Sequence, residues 1–250
     1  MHDAHRLGFY GREMSSKFTA LALVAVLLVP VSAFAEDTGF FAGLDASGGM
    51  AYGSSRTTDG GAPFAGGGVV GNVKLRGTVR FGGHVGYMFA SPLSAFASYH
   101  YSGGDASWDA TYPLLGVASR FEGTAASHAL MGNLAYDFNL TDVTTLRATA
   151  GVGLSFNTLS KVVETDVGSG IFLADLAKKT KVSPAAQIGA GIQHRLTPSM
   201  VLGLNTSVSY SGGFATGNTR SGNLGVTPIN PYKIDHVWRV NLGTSVSFRF

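Results

Sequence analysis

The sequence predicts an all-β protein: an eight-stranded antiparallel up-and-down transmembrane β-barrel with four long extracellular loops and short periplasmic turns. Three observations lead to this fold class. Of the 250 residues, 45% are hydrophobic and 13% charged, yet after the N-terminus no apolar run approaches the ~20 residues of a membrane helix. Long segments alternate apolar and polar residues, which is typical of strands with two different faces. Short turns also alternate with long glycine-rich loops, as in membrane barrels.

The N-terminus carries a predicted secretory signal peptide. Lys17 precedes an apolar run over 18–31, and an Ala-Phe-Ala sequence ending at Ala35 precedes acidic residues. A basic flank, an apolar core and a small-residue site predict cleavage after Ala35, whereas a permanent anchor helix would not need that site. We expect residues 1–35 to be an N-terminal extension plus signal peptide, with the true start at Met14. Residues 36–250 then form one outer-membrane barrel domain.

The first four predicted strands cover residues 40–50, 76–89, 94–108 and 121–138. Each strand has an apolar and a polar face. The apolar faces include, in chain order, Phe40 and Leu44, Phe81 and Val85, Ala97 and Tyr99, and Leu134 and Tyr136; the polar faces include Asp45, His84, His100 and Asn133. Residues 51–74 are rich in glycine, serine and threonine, and residues 109–120 separate two alternating segments, so both are expected to be long loops. The sequence Ser91-Pro92-Leu93 predicts a tight turn.

The other four predicted strands cover 145–159, 182–196, 200–212 and 236–250. Their apolar faces include, in chain order, Leu146 and Val152, Ile188 and Ile192, Leu202 and Leu204, and Val240 and Leu242. Their polar faces include Arg147, Gln187, Asn205 and Asn241. Short turns at 139–142 and 197–199 alternate with loops at 160–180 and 213–235. A short helix over 171–179 is left open. An even number of strands places both ends of the barrel in the periplasm.

The last strand carries the most specific pattern. At a rise of ~3.3 Å per residue and a tilt of roughly 40°, its apolar face spans about 30 Å, with an aromatic residue at each edge of a bilayer. That face reads Trp238, Val240, Leu242, Val246, Phe248 and Phe250. With this strand, the run 133–138 and the run 151–154, the chain resembles the small Gram-negative outer-membrane β-barrel proteins of the OmpA/OmpX/opacity-like group (porin family, outer membrane protein β-barrel domain).

This resemblance implies a place in the cell outer membrane after Sec-type export. It also implies that the final apolar face, Trp238 to Phe250, is the signal read by the barrel-assembly machinery. Proteins that resemble this pattern are surface antigens, adhesion or host-contact proteins, envelope-integrity proteins or narrow channels.

Glycine identifies which face points inward. Gly82, Gly151, Gly189 and Gly243 all lie on the polar face. The interior of an eight-stranded barrel is only just wide enough for side chains, so small residues are needed there. If the polar face met water, nothing would favour glycine, which weakens strands. We therefore expect the polar face inside and the apolar face in lipid.

The inward face predicts a lumen plugged by a polar network without a continuous pore, because unpaired charge in a narrow lumen is costly. Its expected members are Asp45, Arg80, His84, His100, Asn133, Asp137, Arg147, Arg195 and Arg239. Asp45 and Asp137 are the expected counter-ions of the arginines, with the pairing left open. Basic groups outnumber acids, so any leak should favour anions. The predicted aromatic girdles comprise Tyr87, Phe89, Tyr99, Tyr101, Trp108, Tyr136, Phe138, Tyr210, Trp238, Phe248 and Phe250.

Two clusters of reactive residues are candidate functional sites. Ser127 and His128, near Glu122, resemble a nucleophile and base, but adjacent strand residues point to opposite faces. His84 and His100 lie on neighbouring strands and face inward, where a metal or haem pair competes with a lumen network, and the network is favoured. We expect no catalytic residue, cofactor or metal.

The expected function is that of a non-enzymatic barrel with a structural and surface-contact role, whose loops form the interaction surface. A narrow porin or OmpW-like conduit is the alternative, followed by a lipid A-modifying enzyme. Expected partners are outer-membrane lipid, lipopolysaccharide (through Lys178, Lys179 and Lys181) and a host or surface ligand. A monomer is expected. Nucleic acid is excluded because no basic stripe with interleaved aromatics exists.

Overall fold

A computed structural model describes residues 38–55, 58–59, 68–90, 92–113, 115–223 and 225–250. The predicted signal peptide lies outside these residues. Thirteen strands are present in the described part: β1 Gly39–Ser54, β2 Thr58–Asp59, β3 Gly68–Met88, β4 Leu93–Tyr112, β5 Val117–Asn139, β6 Thr144–Asp166, β7 Phe172–Leu176, β8 Lys179–Arg195, β9 Met200–Tyr210, β10 Phe214–Ala215, β11 Thr219–Gly222, β12 Gly225–Pro228 and β13 Lys233–Arg249. No helix in this part is long and apolar enough to cross a membrane.

Eight of these strands form a closed antiparallel ring. Neighbours follow the order β1, β3, β4, β5, β6, β8, β9 and β13, and β13 pairs back to β1. The closing seam is in register over most of its length, from Phe41 opposite Arg249 to Tyr52 opposite Trp238. Closure leaves no sheet edge within the ring, which a membrane requires because lipid cannot satisfy exposed backbone groups. The predicted fold class is confirmed.

The two faces of the ring strands differ as their alternation predicts. Apolar side chains point outward and are exposed on the isolated chain, with Val152 70% and Leu242 62% exposed. Polar side chains of the same strands point inward, with Asn133 4% and Asn241 3% exposed. The outward face therefore suits lipid, and the inward face forms a polar lumen.

The strands are longer at the outer end than the sequence predicted. β5 and β6 each have 23 residues, which at ~3.3 Å per residue and a tilt of about 40° rise roughly 55 Å, about twice the apolar height of a membrane barrel. Much of the predicted loops 109–120, 160–180 and 213–235 is therefore strand. The helix considered over 171–179 was wrong, since Phe172–Leu176 forms β7 and pairs with β6 and β11.

The polar lumen and the extracellular extension

At the periplasmic end of the lumen, one arginine and one aspartate form a bidentate ion pair. Arg147 donates from Nε to Asp137 Oδ1 at 2.7 Å and from Nη2 to Asp137 Oδ2 at 2.6 Å. The two residues are direct cross-strand partners on β5 and β6. The Arg147 guanidinium also lies 5.9 Å from the centre of the Phe41 ring. Arg195 lies near the same end, and its Nε is buried without a hydrogen-bond partner among the described residues.

Further in, two histidines surround the second lumen aspartate. His100 Nε2 lies 3.3 Å and His84 Nδ1 3.8 Å from Asp45 Oδ2, and His84 Nε2 is hydrogen-bonded to Ser247 Oγ at 3.0 Å. In the described residues no arginine nitrogen lies within 4.0 Å of the Asp45 carboxylate. The histidines of β3 and β4 therefore occupy the immediate surroundings of Asp45, and its electrostatic attraction to Arg80 acts from beyond ion-pair distance.

A chain of hydrogen bonds, which begins at the charged Arg80 and continues through neutral side chains, crosses the lumen at this depth. Arg80 Nη2 donates to Gln187 Oε1 at 3.0 Å, Gln187 Nε2 donates to Asn133 Oδ1 at 2.6 Å, and Asn133 Nδ2 donates to Ser98 Oγ at 2.9 Å. These residues come from β3, β8, β5 and β4. The network thus links strands that are not neighbours in the ring and stiffens the barrel across its axis.

Small cavities remain between these side chains. One of about 130 Å³ is lined by Asp45, His84, His100 and Arg147 among others. A second of about 30 Å³ and a third of about 10 Å³ lie against Arg239. Polar cavities of this size hold individual waters. Among the described residues, no group of three or more His, Asp or Glu side chains is arranged to hold a metal ion.

Ser127 and His128, the candidate nucleophile and base, lie on β5 near the outer end of the membrane band. Ser127 points inward, is 2% exposed and donates to Asn157 Oδ1 at 2.6 Å. His128 points outward, where its Nδ1 is hydrogen-bonded to the Tyr99 hydroxyl at 2.6 Å and its ring lies 5.2 Å from that of Tyr101. The two side chains are on opposite faces and do not form a nucleophile–base pair.

Aromatic side chains lie on the outward face near both ends of the predicted membrane band. Tyr87 and Tyr136 lie at the periplasmic end, and Tyr99 and Trp238 at the outer end, all exposed on the isolated chain. Phe89, Phe138, Tyr101 and Phe250 are also exposed, whereas Tyr210 and Phe248 are half-buried. The Tyr210 and Trp238 rings lie 5.1 Å apart.

Trp108 does not belong to this girdle. It is 1% exposed and points inward, stacked at 5.3 Å and an interplanar angle of 2° on Phe121. Its position on β4 has the parity of the inward residue His100 rather than of Tyr99 and Tyr101. Counting by twos from His100 places Trp108 inside, so the alternation itself carried the signal that the sequence prediction missed.

Beyond the membrane band, the outer ends of the ring strands and the short strands β7 and β10 to β12 form an extension of the barrel. Around Trp108 this extension has an apolar core, so its inward side chains are apolar, whereas those in the membrane band are polar. On β4 the inward face changes from His100 and Ser102 to Ala106 and Trp108, while the outward face changes from Tyr101 to exposed polar residues. The buried core comprises Val70, Ala106, Trp108, Ala110, Tyr112, Phe121, Ala125, Leu159, Val162, Leu176, Phe214, Ile229, Tyr232, Ile234 and Val237. Beyond the membrane, water rather than lipid surrounds the strands, so burial of apolar groups favours the inside.

The segment after β9 folds inward across the outer end of the lumen. Asn157 Nδ2 donates to the backbone oxygens of Ser211 and Gly213, the second at 3.1 Å, and Ser155 Oγ donates to Ser211 O at 2.8 Å. β10 follows and pairs with β13, leaving Phe214 fully buried. The first part of the predicted fourth loop therefore lies inside the outer end of the barrel and is not exposed.

Several charged residues of the extension form ion pairs. Glu164, 5% exposed, accepts hydrogen bonds from Ser119 Oγ at 2.8 Å and from Arg220 Nε at 2.6 Å. On the surface, the hydrogen bond donated by Arg120 holds the pKa of the Asp109 carboxyl below its ordinary value. Of the predicted lipopolysaccharide-binding lysines, Lys178 and Lys179 are exposed, whereas Lys181 Nζ lies 3.2 Å from Asp235 Oδ1.

The closed ring of antiparallel strands agrees with a comparison with known protein families. The model of the outer membrane protein beta-barrel domain family matches residues 21–250. The chain belongs to this family. A search of curated sequences finds no match.

Solved structures similar to this family member include three outer-membrane proteins. A major outer membrane protein of Thermus thermophilus has a TM-score of 0.52 at 12% identity, covering 84% of this chain and 99% of that one. OprG of Pseudomonas aeruginosa has a TM-score of 0.49 at 16% identity, covering 86% and 97%. Neisserial surface protein A has a TM-score of 0.43 at 17% identity, covering 86% and 100%. At 12% identity, the similarity to the Thermus thermophilus protein concerns the fold alone. The outer membrane is the location of this barrel.

Proposed function

We propose that this outer-membrane barrel is closed and non-enzymatic, with a structural and surface-contact role that its extracellular extension performs. The observation that carries the proposal is the apolar core around Trp108 and Phe121, which lies over the outer end of the polar lumen. An ion passing outward would have to leave water and cross this core. Transfer of an unpaired ion into apolar surroundings costs far more than thermal energy supplies.

The lumen below the core supports the same proposal. Its cavities of about 130, 30 and 10 Å³ are separated by hydrogen-bonded side chains such as Arg80 and Gln187. Passage would require several of these bonds to break together, and each buried polar group left without a partner costs about 1–3 kcal/mol.

Conductance in planar bilayers tests the proposal. The protein should be purified from outer membranes of cells expressing the full chain, and its folded state verified by the gel shift between heated and unheated samples. We expect no conductance steps. The matched positive control is Asn157→Ala combined with Phe214→Gly, which removes side-chain contacts that hold the inward segment while keeping the backbone pairing of ring strand β6. Stable, salt-dependent steps from the unaltered protein would overturn closure and favour the narrow porin or OmpW-like conduit.

The non-enzymatic part has its own test. Ser127→Ala and His128→Ala variants should leave the mass spectrum of lipid A unchanged, because these side chains lie on opposite faces of β5. A lipid A species that appears with the expressed protein and disappears in either variant would establish a lipid-modifying enzyme.

The proposed partners follow from the same surfaces. The final strand, ending at Phe250, would be the segment that the barrel-assembly machinery recognises, and the exposed Lys178 and Lys179 would contact lipopolysaccharide phosphates. A host or surface ligand would meet the outer end of the extension. A monomer is sufficient for each of these roles, because the ring is closed by its own β1 and β13.

A further inference from the structure

Two arginines face one small lumen cavity without a carboxylate in ion-pair contact. Arg80 donates to the neutral amide oxygen of Gln187, and Arg239 Nη1 donates to the hydroxyl oxygen of Ser211. In the described part of the chain, neither guanidinium has a carboxylate oxygen within 4.0 Å. Both arginines line a cavity of about 30 Å³. Two like charges therefore face the same small cavity.

Arg239 is the more deeply buried of the two. Only 6% of the residue is exposed, and its Nε is buried without a hydrogen-bond partner among the described residues. Its guanidinium carbon lies 5.9 Å from the centre of the Phe214 ring. A buried cation with unused donors is costly unless a negative group compensates it.

Among the described residues no carboxylate lines the remaining wall of the cavity, and the Asp45 carboxylate beyond His100 attracts Arg80 from a distance. Ser102 is a buried residue on this wall, and its hydroxyl can act as a hydrogen-bond donor. His100 is already in contact with Asp45, whose carboxylate lines the larger neighbouring cavity. Asp105 lines the 10 Å³ cavity on the other side of Arg239 but is exposed on the outward face.

We propose that this cavity binds a single dehydrated monovalent anion of halide size between Arg80 and Arg239, with Ser102 as a neutral donor. A cavity of about 30 Å³ has room for one chloride and favours such a small anion over sulfate or an organic acid. Water alone would fill the space without compensating the positive charge of the buried Arg239. The proposal goes beyond the surface role and does not depend on whether the barrel conducts.

Thermal unfolding of the purified barrel, followed by its gel shift, tests the site with sodium chloride as the probe. Sodium gluconate at equal ionic strength is the reference, because gluconate cannot enter. A ligand that binds only the folded state raises the unfolding midpoint with its concentration. We expect a midpoint several degrees higher in chloride, an effect that saturates, and its loss in Arg239→Gln. Arg120→Gln, which removes the same charge from the exposed surface, should keep it.

Two outcomes would overturn the proposal: equal midpoints in chloride and gluconate, or an equal difference in Arg239→Gln and the unaltered protein. If Arg239→Gln does not fold, Arg80→Gln provides the same comparison. A direct measurement needs no variant. Crystals grown in sodium bromide should give an anomalous difference peak within hydrogen-bonding distance of Arg239 and Arg80, whereas bromide found only on the protein surface would count against the site.

Discussion

Asp137 accepts two parallel hydrogen bonds from Arg147, its direct cross-strand partner, at 2.7 and 2.6 Å. Both side chains are mostly buried, with 16% and 14% exposed. This fork-shaped contact is the strongest geometry available to a carboxylate and a guanidinium. It closes the periplasmic side of the lumen network and leaves Arg80 and Arg239 to neutral partners.

Removal of the aspartate charge should destabilise the barrel. Asp137→Asn leaves Arg147 partly buried with a weaker acceptor, and we expect a loss of about 2–3 kcal/mol in the free energy of unfolding, measured by urea titration in lipid vesicles. Asp142→Asn, in the exposed turn nearby, is the control and should change stability by less than about 0.5 kcal/mol. An equally small effect of Asp137→Asn would mean that the ion pair contributes nothing net.

The two tryptophans of the chain should report different surroundings. Trp108 lies in the buried core of the extension, and Trp238 lies on the outward face, 48% exposed. In vesicles of brominated lipid, Trp108→Phe leaves only Trp238, whose fluorescence should be quenched several-fold more than that of Trp108 in Trp238→Phe. Comparable quenching in the two variants would place Trp108 in lipid after all.

Glycine should be essential at one seam position and replaceable at another. A Cβ on Gly243 would overlap the Ala46 backbone oxygen and Ser47, whereas a Cβ on Gly48 would meet no atom within 4 Å. Gly243→Ala should therefore cost about 1–3 kcal/mol through strain and reduce the yield of folded barrel. Gly48→Ala should stabilise the strand by about 0.5–1 kcal/mol. Equal effects of the two would contradict the inward packing.

The inward segment after β9 should loosen when its hydrogen bonds are removed. Asn157→Ala deletes the donor to the Ser211 and Gly213 oxygens, and we expect a cost of about 1–3 kcal/mol. Amide hydrogen exchange over 211–216, followed by mass spectrometry, should accelerate by about tenfold or more. Asn139→Ala is the control, because Asn139 is exposed at the end of β5, at the turn that leads to β6. Unchanged exchange over 211–216 would show that other contacts hold the segment.

The sequence by itself determined the eight ring strands, their turns and their two faces. The reason is local: side chains alternate with a period of two, and each face within the membrane meets one uniform environment, lipid or the lumen. It also assigned residues to the inward face by position, Asp45 and Arg147 included, since parity along a strand needs no knowledge of neighbours.

Only the tertiary structure decided which inward groups meet. Arg80 contacts Gln187 across the lumen, and Asp45 contacts His100 instead of an arginine, because shear and closure of the ring set which strands face each other at each depth. Where the strands leave the membrane, the outer medium changes from lipid to water and the apolar face moves inside. Parity along β4 already places Trp108 inside, whereas its burial in a core with Phe214 and Tyr232 depends on distant segments that only the closed barrel brings together.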